Sequence, residues 1–431
     1  MDYKKLGLKC GLEIHQQLDT GKLFMRTPSI IRDDKPDFMI ARKLKAVIGE
    51  SGEVDAAASF EEFADKTFFY QGYSDSISPI ECDEEPPRVM DAAALGVVLQ
   101  VSSMLECSIV DEVQVMRKTV VDGSNTSGFQ RTALVGRHGT LKTDFGNVGI
   151  PTISIEEDSA KIVERDDVAN TITYNLSRLG IPLIEIGTDP DITSPEMAKA
   201  VAARLGMILR STGGVKRGLG TIRQDLNVSI TGGARIEIKG AQDLRMIPTW
   251  VEMEALRQQN LLEIRDWMKK EKISISKKQT DLSETLAGCR SKFIIEALKK
   301  DHVVFGLKIS NGRGLCGTQV QPQRRFGTEL SDYGKRASGL KGLIHSDENL
   351  STYSLSENDA AAIRKELSCA KNDAFVMVVG PKDKVVRALD AVSMRFNHAL
   401  KGIPQEVRKT NPDGTTSFMR PMPGAARMYP E

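Results

Sequence analysis

Two β-rich runs bracketing a cluster of acids constrain this chain more than any other stretch. Between Pro151 and Asp191 it reads PTISIEEDSAKIVERDDVANTITYNLSRLGIPLIEIGTDPD. The first run ends in Glu156, Glu157 and Asp158, with Lys161 just beyond; the second, IPLIEIG, is apolar except for Glu185 in its middle. A lone carboxylate inside a buried strand is costly unless a cation or a hydrogen-bond donor compensates it. Either these acids form a solvated turn and a strand end, or other segments bring compensating charge to them. The remaining sequence favours the second reading.

The first compensating segment is the N-terminal strand. In LGLKCGLEIHQQL, residues Leu6, Leu8, Cys10, Leu12 and Ile14 alternate with Lys9, Gly11, Glu13, His15 and Gln17. Period two places Glu13 and His15 side by side on one face while the other enters the core. An imidazole two residues from a carboxylate on one strand face suits a shared ion. The loop-rich region containing KPDFMIARKLKAVIGESGEVDAAAS has Gly and Pro too scattered for an interior strand. Pro86-Pro87 then introduces a helix from about Arg88 to Met104. In EVQVMRKTVVDGSNTSGFQRT a short strand delivers Arg117 and Lys118 beside a Gly/Ser/Asn turn, a combination that suits phosphate, although no Walker A spacing is present.

Farther on, Ser194 caps a helix whose first turn holds Pro195, running through Met197, Val201, Leu205 and Ile208 to Gly213-Gly214. In IRQDLNVSITGGARIEIKG, residues Ile222, Leu226, Val228 and Ile230 face one way and Arg223, Asp225, Asn227 and Ser229 the other. The return strand turns Ile236 and Ile238 inward and Arg235, Glu237 and Lys239 outward, so a hairpin with one core face and one mixed-charge face is expected. A long helix from about Asp243 to Lys269 follows. From about Ile275 to Ile403 the texture changes to a separate α+β unit with strands HVVFGLKI and AFVMVVG, after which the earlier style resumes. The middle segment therefore reads as an insertion.

At 431 residues, two or three domains are expected. The net charge of +1 excludes a globally basic nucleic-acid binder and leaves a local basic patch open. No apolar run approaches a membrane span, and the N-terminus MDYKKLGLKCG is unlike a signal peptide. Six scattered cysteines without a CxxC pair fit a reducing cytoplasm.

Gathered together, the polar faces offer Glu13, His15, Glu157, Glu185, Asp225 and Glu237, with Lys118, Lys161, Arg223 and Lys239. So many carboxylates repel one another unless divalent cations neutralise them, and Mg²⁺ bridges carboxylates to phosphates. The cations suit phosphates and the charge that develops in phosphoryl transfer. The residues alone thus point to a Mg²⁺-dependent, nucleotide-using enzyme. Glu157 is assigned to the cavity because it ends a strand whose Ile153 and Ile155 share its parity.

These residues also carry a resemblance. GLEIH at Gly11–His15, Arg117-Lys118 with Gly128–Gln130, and EED at Glu156–Asp158 are similar to the signature of the GatB/GatE family, kinase subunits of tRNA-dependent amidotransferases. So are SRLGIPLIEIGTDPDITSPEMA at Ser177–Ala198, RQDLNVSI at Arg223–Ile230, EIKG at Glu237–Gly240 and the terminal MYPE. FGTELSDYGKRASGLKGLIH, Phe326 to His345, resembles the inserted domain of bacterial-type aspartyl-tRNA synthetases and points to the archaeal branch. Lys216-Arg217-Gly218 and Ala241-Gln242 depart from the bacterial pattern.

The resemblance implies an α+β fold: a cradle-like domain of mixed and antiparallel sheet (1–274 and 404–431) with a smaller α+β insertion (275–403). The family's further helical and tail domains lie outside these residues. It implies ATP and Mg²⁺ as cofactors, with His15, Glu157 and Glu185 as principal metal ligands and Glu13, Asp225 and Glu237 at a second position or orienting the first. Lys239 joins His15, Glu157, Glu185, Glu13 and Asp225 in the catalytic set, and Arg117, Lys118, Lys161, Arg223 and Asn227 bind the nucleotide. The implied reaction phosphorylates the γ-carboxylate of glutamyl-tRNA(Gln), and ammonia from an asparaginase-like amidase partner of the D type then displaces the phosphate. An α2β2 heterotetramer is expected, and removal of 275–403 is expected to spare ATP binding and weaken work on tRNA. The competing readings are a Mg²⁺/ATP ligase for a small carboxylate and a non-catalytic tRNA-docking scaffold.

Overall fold

A computed structural model describes residues 1–45, 66–166, 169–422 and 428–431. The part of the loop-rich segment between 46 and 65 lies outside the described residues. The chain divides into two compact units. One comprises Met1–Leu8, Val228–Ile238 and Thr249–Arg420, the other Lys9–Asn227, Lys239–Pro248 and Pro421–Glu431. Helices and mixed and antiparallel sheets make this an α+β protein.

The Lys9-containing unit is built on an antiparallel sheet. Its strands are β1 (Lys9–Gln17), β2 (Val115–Thr119), β3 (Phe129–Thr143), β4 (Gly146–Glu157), β5 (Pro182–Gly187) and β6 (Ile222–Ser229). Across it the order runs β6, β1, β5, β4, β3, β2 and then the strand Met428–Pro430. The expected alternation holds in β1, where Cys10, Leu12 and Ile14 are buried and Glu13 and His15 half-buried. It holds equally in β6, where Leu226 and Val228 are buried and Arg223, Asp225 and Asn227 half-buried. Ser194 caps the helix Pro195–Ser211 by accepting a hydrogen bond from the Met197 N–H, with Pro195 in the first turn, as its residue types dictate. The preceding helix starts at Ala92, capped by Asp91, a few residues beyond Pro86-Pro87.

A second sheet in this unit runs in the order Phe38–Arg42, Thr67–Gly72, Thr171–Asn175, Lys161–Asp166. Phe38–Arg42, in the segment expected to carry no interior strand, is an edge strand of it. Phe68, Tyr70, Ile172, Tyr174 and Leu176 fill its core. Gly123 packs against this core in the left-handed region (φ 87°), where a Cβ would lie 2.2 Å from the Phe68 ring.

The other unit contains a sheet in which Ala374–Gly380 is buried along its whole length between Val303–Ser310 and Ile344–His345. Packing on both faces explains why that strand reads as an uninterrupted apolar run. One core joins Leu261, Ile264 and Met268 of the helix Ile247–Lys270 to the helices Phe326–Ser338 and Lys382–Lys401. A second core holds Ile294 and Ile363 against Phe375 and Met377. The unit that contains 275–403 also takes in 249–274 and 404–420.

This unit hides a charged knot. Arg257, Arg395 and Arg408 are wholly buried around Glu254, Glu329 and Glu406. Arg257 meets Glu329 at 3.1 Å and Glu254 at 2.9 Å; Arg395 and Arg408 reach Glu329 at 3.1 and 2.9 Å. Tyr333 donates to Glu406. Burial opposes ionisation of Glu329, but the three guanidiniums outweigh it and hold its carboxyl well below the usual range. Among the described residues no helix is long and apolar enough to cross a membrane.

Candidate functional site

The β1/β5 register sets His15 opposite Glu185, and the β5/β4 register sets Glu185 opposite Ser154 and Leu183 opposite Glu156. Since side chains alternate between faces, Glu13, His15, Glu185, Glu156, Gln130 and Lys118 line up as a diagonal band on one face of the sheet. His15 Nε2 lies 3.6 Å from Glu13, 3.3 Å from Glu185 and 3.9 Å from Glu156. Lys118 Nζ donates to Glu156 at 2.7 Å and to Glu185 at 3.4 Å, and Gln130 donates to Glu156 at 3.1 Å. The carboxylate embedded in IPLIEIG thus finds its cation in Lys118.

Burial pushes the Glu156 carboxyl up, and the nearby Glu185 charge reinforces that against the pull of Lys118. For Glu185, Lys118 and the His15 hydrogen bond outweigh burial and hold it well below the usual range. Burial opposes the charged imidazole of His15, yet the three carboxylates win and raise it. This band attracts positive charge. Donor atoms of Glu13, His15 and Glu185 all lie within 4.8 Å of one another, so one divalent ion could be shared among them. The set suits Mg²⁺, which takes a few carboxylate oxygens and keeps water in its remaining positions.

Glu157 is not in this band. It points to the opposite face, buried, with its Oε2 3.5 Å from Arg131 and 3.3 Å from the Arg131 N–H, and its Oε1 has no hydrogen-bond partner among the described residues. The reason is parity. Ile153 and Ile155 face the core, so Glu157 does too, and the acid on the polar face with Thr152 and Ser154 is Glu156. Arg117 goes to the same opposite face as Glu157, lying over the Phe129 ring at 4.4 Å and pairing with Glu431.

Asp158, wholly buried, anchors a neighbouring cluster that single-residue reasoning missed. It accepts from Gln17 at 2.6 Å and Arg223 at 2.8 Å, with Arg178 at 3.8 Å. Gln17 shares its face with His15 two residues away on β1, so Arg223 is held within one strand step of the carboxylate band. Asp225 pairs with Lys239 at 2.7 Å and accepts from the Gly240 N–H. Asn227 is half-buried with Oδ1 unpartnered among the described residues. Lys161 pairs with Asp33 in the second sheet, apart from the band. Glu237 belongs to the other compact unit, half-buried on the strand Ile236–Lys239. The structure therefore unites His15, Glu13, Glu185 and Lys118 of the expected set and adds Glu156, Gln130, Gln17 and Asp158. The signal for Glu156 was the Thr152–Ser154–Glu156 alternation.

A carboxylate–imidazole band crossed by one lysine and flanked by a buried Asp–Arg cluster has the charge pattern that could take a divalent cation and an anion side by side. The GatB/GatE catalytic domain matches residues 8–431, and the chain belongs to the GatB/GatE family. It is 49% identical over 431 residues to the E-type chain of the glutamyl-tRNA(Gln) amidotransferase of Methanococcus maripaludis, covering all of this chain and 68% of that protein. The protein of that name from Methanocaldococcus jannaschii is 48% identical over 433 residues, again with 68% covered. That from Archaeoglobus fulgidus is 49% identical over 433 residues, with 69% covered.

Proposed function

We propose that this chain is the component of a glutamyl-tRNA(Gln) amidotransferase that activates the tRNA-bound glutamate for amidation. The observation that carries this is the Glu13–His15–Glu156–Glu185 band around Lys118, set in a chain that is about half identical, over its full length, to proteins named for that reaction. A γ-carboxylate oxygen of the esterified glutamate attacks the γ-phosphorus of ATP, the bond to the bridging oxygen breaks, and ADP leaves. Ammonia then forms the carbon–nitrogen bond, releasing phosphate and a proton and leaving glutaminyl-tRNA(Gln).

The chain's residues divide this work by their charge and placement. Glu13, His15 and Glu185 would hold Mg²⁺, which when bound offsets phosphate charge. Glu156 holds the Lys118 amine beside Glu185, where it can meet a phosphate oxygen. Arg223, anchored by Asp158, offers a second cation to the transferring group, and Lys239 is oriented by Asp225. Positioned charge of this kind is what phosphoryl transfer demands of a protein.

The amidase partner that supplies ammonia is of the asparaginase-like D type, the assembly an α2β2 heterotetramer and the compartment the cytoplasm. Residues 275–403 act as an inserted, aspartyl-tRNA-synthetase-like module; the core of Ile294, Ile363, Phe375 and Met377, which lies wholly within them, and the fully buried central strand support this. Incubating the full-length protein and its amidase partner with γ-labelled ATP and glutamyl-tRNA(Gln) tests the function. Label on the aminoacyl ester, chased into glutaminyl-tRNA by an amide donor, is expected. Release of labelled phosphate independent of aminoacylated tRNA would overturn it.

A further inference from the structure

In the unit that carries 249–420, far in sequence from the carboxylate band, a cavity of about 450 Å³ opens to solvent. Its floor is apolar, formed by Met377, Ile344 and Leu343. Two aromatic rings line it. Phe293 is 50% exposed, unusual for a phenylalanine with a sheet core beside it, and Tyr353 has its hydroxyl tied to Glu348 at 3.1 Å so that its ring position is fixed. Three cations complete the lining, Arg290, Lys292 and Lys341, all exposed. None of the three pairs with a carboxylate among the described residues, and no acid lines the cavity. Ser291 also lines it; the residue is 2% exposed, and its hydroxyl makes no capping hydrogen bond to the chain that follows.

A cavity with this lining asks for a ligand that is flat and apolar on its faces, polar at its edge, and anionic alongside. We infer that it receives one unpaired nucleotide of the tRNA substrate. The base rests on the apolar floor with Phe293 and Tyr353, the Ser291 hydroxyl meets its polar edge, and the adjoining phosphates draw Arg290, Lys292 and Lys341. Unpaired RNA is bound by this pairing of aromatic faces with backbone-tracking cations. The volume lies in the range of small-molecule sites and would stay largely unfilled by the side chain of an acidic peptide. With a net charge of only +1, the chain can attract RNA only through local patches of this type. The inference rests on the tRNA-dependent function proposed above and adds a docking point on the compact unit that does not carry the carboxylate band.

The test uses the full-length protein with its amidase partner, comparing wild type with Phe293→Ala, Phe293→Tyr and the double variant Arg290→Glu/Lys341→Glu. Binding of tRNA(Gln) is titrated from low to physiological salt, with adenosine monophosphate and inorganic phosphate as separate probes. Phe293→Ala should weaken tRNA binding about tenfold, and Phe293→Tyr should restore it. The double variant should lower the slope of log affinity against log salt by about 1.4, two single-strand phosphate contacts at roughly 0.7 each. KM for the charged tRNA should rise while kcat at saturation stays unchanged.

Adenosine monophosphate or phosphate bound as tightly as tRNA would make this a free-nucleotide or anion site and overturn the assignment. So would unchanged tRNA affinity and salt slope in correctly melting variants, or loss of the amidase partner with tRNA affinity intact, the signature of an acidic protein surface. Failure of the functional reading gives a different result: wild type then binds tRNA, yet converts no glutamyl-tRNA(Gln).

Discussion

Glu156 and Glu157 are neighbours in sequence and lie on opposite faces of one strand, so the pair of Gln substitutions separates site from scaffold. Glu156→Gln keeps shape and one hydrogen-bonding oxygen but removes a charge 2.7 Å from Lys118 and 3.9 Å from His15. Lys118 retains Glu185 at 3.4 Å, so no buried cation is orphaned, and the fold should lose only about 1 kcal/mol. The site loses more. Two unit charges at about 4 Å interact by roughly 4 kcal/mol at an effective dielectric constant of 20, and water and Lys118 cancel part of this. About 2–3 kcal/mol of transition-state stabilisation remains to be lost, on the order of a hundredfold in rate.

Glu157→Gln instead removes a buried charge whose partner Arg131 keeps Glu431 at 3.2 Å. Its activity should stay within about tenfold of wild type. The assay is ATP-dependent conversion of glutamyl-tRNA(Gln) over a Mg²⁺ titration, with thermal melts of each variant. An active Glu156→Gln together with a folded, inactive Glu157→Gln would refute the face assignment.

Three further outcomes follow from the packing. Burial raises the Glu157 carboxyl above the ordinary glutamate range despite Arg131. The native state therefore holds that proton more tightly than the unfolded chain, and this group's stabilisation, complete at acid pH, is lost as pH rises through the raised value. Melting Glu157→Gln beside wild type from about pH 5 to about pH 8 should show the difference moving in the variant's favour. Glu329→Gln strands the buried Arg395 and takes one of several carboxylates from Arg257 and Arg408, and should cost about 3–5 kcal/mol. Because Glu329 titrates below the unfolded value, that penalty should be largest at neutral pH and shrink as pH falls below the ordinary glutamate range, readable in melts across that interval. Gly123→Ala must fit a Cβ 2.2 Å from the Phe68 ring at a φ of 87°, and should lower stability by roughly 1–3 kcal/mol in urea unfolding.

Period-two alternation carried most of what could be read in advance. It put Glu13 beside His15 and gave β6 its mixed face, and the capping signals at Ser194-Pro195 located a helix start. The same rule, followed through in β4, selects Glu156, since Thr152 and Ser154 mark the polar face and Ile153 and Ile155 the core. Placing Glu157 in the cavity requires a strand's core face to open at its end; the strand does end there, but Arg131 covers the acid and keeps it buried. Other features depend on partners remote in sequence. Asp158 with Arg223 spans 65 residues and Lys118 with Glu185 spans 67, so neither pairing is visible until the strand order is known. Lys161 and Arg117 looked like phosphate ligands by type, yet Asp33 and Glu431 hold them.

Lys118 has Arg117 beside it, Gln130 has Arg131, and Glu156 has Glu157, with the two members of each couple on opposite faces of the sheet. Deleting one codon within β2, β3 or β4 would exchange the members, swapping one polar group for another of related character. Such a lesion would leave local composition and strand-forming tendency almost untouched while emptying the carboxylate band and forcing site charges into the interior. Evolution can therefore vary these strands by point substitution but hardly by length, and gaps between relatives should collect in the intervening turns. An alignment that slips by one position at Glu156-Glu157 would still pair acid with acid and look sound, while equating residues that never occupy the same space.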